Sequence, residues 1–149
     1  MADFVHYDFS IGMPPRWIDS SVVIMAGPPN DGYSPNITIS REQLDFQLSS
    51  DEYAAGQLLA LQQGLAEQNY KVVEESTLTL GEMRAFQRVH RFEVAEDDLR
   101  ITQLQVYVVR GSEAITITCT NISEWFDQTR PAFLDAIQRF HWRGAGGRA

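Results

Sequence analysis

Period-two alternation covers much of the chain, with two stretches of helical period set into it. HYDFSIGMP alternates and stops at Pro14 and Pro15, so it reads as a first strand. SSVVIMAG reads as a second strand, ended by the turn-rich PPNDGYSP, and NITISREQL as a third, with Ile37 and Ile39 on one side and Thr38 and Ser40 on the other. The period then changes. Ser49 and Glu52 have capping-box spacing, and DEYAAGQLLALQQGLAEQ places Ala54, Leu58, Leu61 and Leu65 along one stripe, which predicts a helix closed by Asn69. Four more strands follow: YKVVEESTLTL to Gly81, MRAFQRVHRFEV, LRITQLQVYVV after the acidic turn AEDD, and AITITCT after Gly111 and Ser112. A second helix is expected near Asn121, with Asn121 capping it and Pro131 in the first turn of a fresh helical segment. Its stripe is Phe133, Ile137 and Phe140.

This order predicts an α+β domain: a single largely antiparallel twisted sheet of about six or seven strands with helices packed against it. The crossover after the third strand leaves room for one parallel pair. Residues 1–142 form the expected single domain and 143–149, rich in glycine, a flexible tail.

Composition narrows the function. The chain has 149 residues, 44% of them hydrophobic, and a net charge of −8. That charge disfavours a nucleic-acid or anionic membrane partner. No apolar run nears the roughly 20 residues of a membrane span, and MADFVHYDFS has no basic stretch before an apolar block, so neither an anchor nor a secretory leader is expected. Cys119 is the one cysteine and reads as a small core residue. Lys71 is the one lysine, and there is no glycine-rich phosphate loop and no G-x-S-x-G elbow. His6, His90 and His141 lack metal-ligand spacing, so neither a catalytic nor a metal site is expected, nor a cofactor. Glu74 and Glu75 point to opposite faces of one strand and cannot act together. Ser40 and Arg41 bind an anion or cap the strand, and spacing leaves both open.

Three features bear on binding instead. Gly56, Ala60 and Gly64 form a small-residue stripe that either packs on the protein's own sheet or admits a partner helix. In LRITQLQVYVV, Arg100, Thr102, Leu104, Val106 and Val108 share one face, which becomes a clear core face, while Ile101, Gln103, Gln105 and Tyr107 share the other. That second face mixes apolar groups with amides that both donate and accept. On the second strand Val22 and Ile24 face one way and Val23 and Met25 the other, so both faces call for cover. Trp17 reads as an anchor over the end of the sheet.

Pro15, Trp17, Asp19 and Ser21, then Val22 to Met25, then Ile39-Ser-Arg-Glu42, resemble the DcrB-like family with a PsbP-like fold. Glu52, Tyr53, Gln57 and Leu58 fit that family's helix. Gln103 or Gln105 with Tyr107, and Ile115 to Thr118, fit its paired strands, and Phe133, Ile137 and Phe140 its closing helix. The similarity runs from about residue 4 to residue 142. Several members are lipoproteins, whereas this chain, without a leader or a lipidated cysteine, is similar to the cytoplasmic Eag chaperones of type VI secretion. The resemblance implies a non-enzymatic homodimer that shields the N-terminal transmembrane helices of a PAAR/Rhs-type effector before loading on the secretion spike. It also implies a concave client surface of Val22, Ile24, Thr38, Gln57, Leu61, Leu65, Ile101, Gln103 and Gln105. Gln103 stands where a more apolar residue is expected, and Leu61 is larger than the family's small residue. The alternative is a small-molecule-binding or regulatory module that uses the same face.

Overall fold

The computed structural model describes residues 2–6 and 8–143. Glycine-rich residues 144–149, most of the expected tail, lie outside that range. The strands are β1 (Ala2–Val5), β2 (Ser10–Met13), β3 (Val23–Ala26), β4 (Asn36–Gln43), β5 (Lys71–Leu80), β6 (Met83–Val94), β7 (Leu99–Arg110) and β8 (Glu113–Ile122). Helix α1 (Ser50–Gly64) joins β4 to β5, a 3-10 turn (Ala95–Asp97) joins β6 to β7, and α2 (Ser123–Gln138) closes the chain. Six strands form one sheet in the order β3-β4-β8-β7-β6-β5, with β1 and β2 in a separate two-stranded sheet. The class is α+β, as the pattern predicts.

Among the described residues every strand pair is antiparallel, without the parallel pair allowed for. The order gives the reason. β4 and β5 run the same way, but α1 carries the chain from β4 to the far edge, and three strands lie between them.

Strand alternation sorts side chains into two cores. On one face Leu104, Val106 and Val108 of β7 and Ile115, Ile117 and Cys119 of β8 pack under Phe126, Phe133 and Ile137 of α2. On the other face Tyr107 and Ala114 pack under Tyr53 and Ala54 of α1, with Leu44, Leu48, Phe86 and Val109 around them. Each helix covers mainly central strands. Glu74 reaches α2 through Arg130 and Glu75 reaches Arg88 on the opposite face, as expected of neighbours in a strand.

The capping box of α1 is present in both directions: Glu52 N donates to Ser49 Oγ at 3.0 Å and Ser49 N to Glu52 Oε1 at 2.9 Å. Ser50 then fastens the first turn to the sheet. Its Oγ donates to Arg84 O and accepts from Val109 N, each at 3.0 Å. The helix ends at Gly64 rather than running on to Gln68. Gln68 O accepts from Glu93 N, which pulls the chain onto β6 through a turn where Asn69 takes a left-handed φ of 53°.

Other boundaries also differ from expectation. The opening run is a hairpin, not one strand. His6 N donates to Phe9 O, and the two rings stack at 5.0 Å to close it. Asn121 does not cap α2. It lies in β8, and its amide donates to Thr129 Oγ1 at 2.7 Å while its own oxygen accepts from Ile122 N. Pro131 lies inside a continuous helix. Its ring is on the exposed side, so the Phe126, Phe133, Ile137 stripe passes beneath it unbroken. Trp17 is 69% exposed rather than buried over the end of the sheet, and Val22 to Met25 are exposed on both faces instead of covered.

Candidate functional site

The α1 face of the sheet carries the candidate site, and strand register builds it. Ile24 lies opposite Thr38, Thr38 opposite Thr118, Thr118 opposite Gln105, Gln105 opposite Arg88, and Arg88 opposite Glu75. The adjacent row runs Asn36, Thr120, Gln103, His90 and Val72. ITITCT reads along β8 as threonines on this face and apolar groups on the other.

Each row is a directed chain of hydrogen bonds. In the first, Arg88 Nε donates to Glu75 at 2.9 Å and a second guanidinium nitrogen to Tyr107 Oη at 3.2 Å. Tyr107 donates in turn to Gln105 Oε1, and Gln105 Nε2 to Thr118 Oγ1 at 3.0 Å. In the second, Tyr70 Oη and His90 Nδ1 are 2.9 Å apart, His90 Nε2 and Gln103 Oε1 2.8 Å, and Gln103 Nε2 donates to Thr120 Oγ1 at 3.1 Å. Because the Gln103 oxygen accepts, His90 carries its proton on Nε2, and Nδ1 accepts from Tyr70. Both glutamines thus turn their nitrogens toward β8, while the Gln103 oxygen faces His90 of β6 and the Gln105 oxygen faces Tyr107 of β7 itself.

Burial sets the charge states. His90 is fully buried, and desolvation, with Arg88 alongside, holds its pKa below 6.5. Burial raises the Tyr107 pKa and pushes Tyr70 to about 12. Arg88 is 1% exposed, and its guanidinium lies 5.2 Å from the Phe86 ring centre and 5.5 Å from that of Tyr107. Among the described residues no cluster of three or more His, Cys, Asp or Glu side chains could hold a metal, and no helix is long and apolar enough to cross a membrane. Cys119 is buried, and its thiol is pushed up to about 12 by desolvation, far from a reactive thiolate.

The structure brings together part of the expected surface. Ile24, Thr38 and Gln105 fall in one row, with Gln103 in the next. Ser50 fastens the start of α1 to Arg84 and Val109, Gln68 beyond its end bonds to Glu93 of β6, and the expected Gln57, Leu61 and Leu65 are half-buried along this segment. Over β3 the face is open: Ile24 is 67% exposed. Two expected positions differ. Val22 lies outside β3, just before its first residue, and Ile101 is 5% exposed, paired with Phe92 and Ile122, so it has little surface to offer a partner. Gly56, Ala60 and Gly64 are exposed, so the stripe does not pack on the protein's own sheet. An open depression of about 770 Å3 lies away from the rows, by the β6–β7 turn and the start of α2, and Arg91, Arg100, Glu93 and Glu124 line it with both signs of charge.

Arg88, His90, Tyr70, Tyr107, Thr118 and Thr120 complete the rows and were not among the expected client residues. Their signal was available in the alternation that puts Phe86, Arg88, His90 and Phe92 on one side of β6. What sequence did not supply was the register that sets this side against the glutamines of β7.

Comparison with known proteins agrees with this architecture. A family model described as DcrB matches residues 9–139. No curated protein sequence matches. Among solved structures, a Pseudomonas aeruginosa protein of unknown function, PA94, described as a putative regulator, superposes with a TM-score of 0.80 at 18% identity, covering 97% of this chain and 99% of that one. Cyanobacterial PsbP from Synechocystis sp. PCC 6803 gives 0.55 at 9% identity, covering 85% and 94%. LpqN of Mycobacterium tuberculosis, involved in cell envelope biogenesis, gives 0.51 at 16%, covering 84% and 85%. The fold is therefore similar to that of PsbP.

Proposed function

We propose that this chain, which belongs to the DcrB family, is a non-enzymatic chaperone that lays apolar helices of a client protein on the α1 face of its sheet. The observation that carries this reading is the row from Ile24 through Thr38 and Thr118 to Gln105, apolar at its exposed end and polar but internally bonded beyond. A membrane helix in water leaves apolar surface uncovered at about 25 cal/mol per Å2, which Ile24 and the threonine methyls can shield. Thr118 and Gln105 already bond each other, so they need nothing from a plain apolar client. They can also re-pair with a polar client group, as side chains do between membrane helices. The net charge of −8 keeps such a complex dispersed.

By the family resemblance, the client is a PAAR/Rhs-type effector with N-terminal transmembrane helices, held in the cytoplasm before loading on the type VI spike. The chaperone acts as two copies.

The test is recovery of the client with a tagged chaperone carrying Thr38→Lys and Leu65→Asp, two half-buried positions that flank the open face. Client recovery should fall at least tenfold while the circular dichroism spectrum holds. Unchanged recovery overturns the surface. A small molecule in native mass spectra, with no client recovered, establishes instead a small-molecule carrier or regulatory module on the same face.

A further inference from the structure

We propose that β3 is the contact between two copies of this chain, paired edge to edge so that the two six-stranded sheets continue into one. The proposal deepens the two-copy reading above and rests on it. The two edges of the sheet are built differently. β5 carries Lys71, Glu74 and Glu75, and its pairing with β6 is broken by an irregularity between Val72 and Glu74. Charges and a bulge are the ordinary means by which a free edge avoids pairing with another strand. β3 has neither: it reads Val-Ile-Met-Ala, in unbroken register with β4. An edge so bare is suited to being paired.

The exposed apolar groups collect in the same segment. Among the described residues, nine of the twelve exposed large hydrophobic side chains fall between residues 5 and 25, including Trp17 at 69%, Ile18 at 75%, Val23 at 52% and Met25 at 48%. Val22, Val23, Ile24 and Met25 of this group lie in or next to the strand whose edge is free.

The occupant follows from chemistry. A free strand edge presents a row of backbone N–H and C=O groups, and a client helix has already spent its own on itself, so only a strand satisfies the edge. A second copy offers an identical edge, and antiparallel pairing about a two-fold axis is self-complementary. An anionic lipid surface is disfavoured, since Asp3, Asp8 and Asp19 face a lone arginine, Arg16, in residues 2–26. With the axis perpendicular to the sheet, the open faces of both copies lie side by side, and Ile24 of each stands at the seam.

Sedimentation of the full chain tests this. The wild type should run as two copies at micromolar concentration, and Val23→Asp with Met25→Asp as one copy under the same conditions, with an unchanged dichroism spectrum. Both side chains are already about half exposed and point away from the α1 face, so the client test at Thr38 and Leu65 is separate. A double variant that remains two-copy overturns the contact and leaves the two-copy reading standing. A wild type of one copy at every concentration overturns both. Should the double variant misfold, hydrogen exchange of the wild type decides: Val23–Ala26 amides that do not lose protection on dilution to the single copy overturn the contact.

Discussion

Arg88 and Glu75 form an unequal pair, and the inequality predicts which half matters. Arg88 is buried with side-chain exposure of 2%, whereas Glu75 keeps 42% of its surface in water. Removing Glu75 strands a guanidinium that water reaches poorly, leaving it the Tyr107 hydroxyl and the Phe86 and Tyr107 rings but no carboxylate. Glu75→Ala should therefore cost about 2–3 kcal/mol, and Glu75→Gln, which keeps an acceptor, markedly less. Glu74→Ala breaks a pair with Arg130 in which both partners are partly solvated, and should cost about 1 kcal/mol or less. Urea melts of the three variants check the order, and equal costs for Glu74→Ala and Glu75→Ala would show that burial does not govern the pair. His90 gives a pH test. Its folded pKa lies below 6.5, so the unfolded chain binds its proton first. Its contribution to stability is complete above pH 6.5 and is lost as pH falls from there toward the depressed folded value. The urea midpoint of the wild type should drop through that window, and His90→Gln should flatten that part of the curve. That Gln103 and Gln105 share a face was legible from alternation alone. That His90 fixes Gln103 was not, because His90 lies on β6 and only the register joins the two; Tyr107, two positions from Gln105, was already on the same face of β7.

Helix ends expose the competition between local signals and packing. The Ser49–Glu52 box was readable because both partners sit within one turn and no other element contests them. Asn121 had the same kind of signal and a different fate. β8 continues to Ile122, so Asn121 is held extended, and its amide reaches forward to Thr129 in α2. Pro131 likewise suggested a break, yet α2 passes through it. A proline in a helix interior costs about 3 kcal/mol against alanine, less the ~1 kcal/mol that its stiffness removes from the unfolded chain. The helix tolerates this because Phe126, Phe133 and Ile137 are buried together on the side away from the ring. Pro131→Ala should accordingly raise stability by about 1–2 kcal/mol, read as a higher melting temperature. A lower one would mean that the proline terminates one segment and starts another.

Across the whole molecule, cover falls off from the centre of the sheet to the β3 edge. Leu104, Val106 and Val108 of β7 are fully buried, with neighbours on both sides in the sheet and a helix over each face. β3 has one neighbour in the sheet and exposed side chains on both faces, and β1 and β2 form a separate two-stranded sheet. The alternation along β6, β7 and β8 made the class legible because each of those strands has a buried face. Near the N-terminus the strand at Val23–Ala26 was legible, but the expected cover of Trp17 and of Val22 to Met25 was not found: apolar residues signal burial, and among the described residues these stay exposed. A lone two-stranded hairpin is marginal in water, so the single copy should show a steep gradient of opening free energies. Hydrogen exchange at a concentration where one copy prevails should find β1 and β2 amides exchanging by local opening, with β7 amides at Leu104–Val108 requiring global unfolding. In the two-copy state β3 should move toward the protected end while β7 stays where it is. β1, β2 and β3 amides as slow as those of β7 in the single copy would mean that the N-terminal segment is already held by its own chain. The exposed apolar groups would then lose their part in joining two copies.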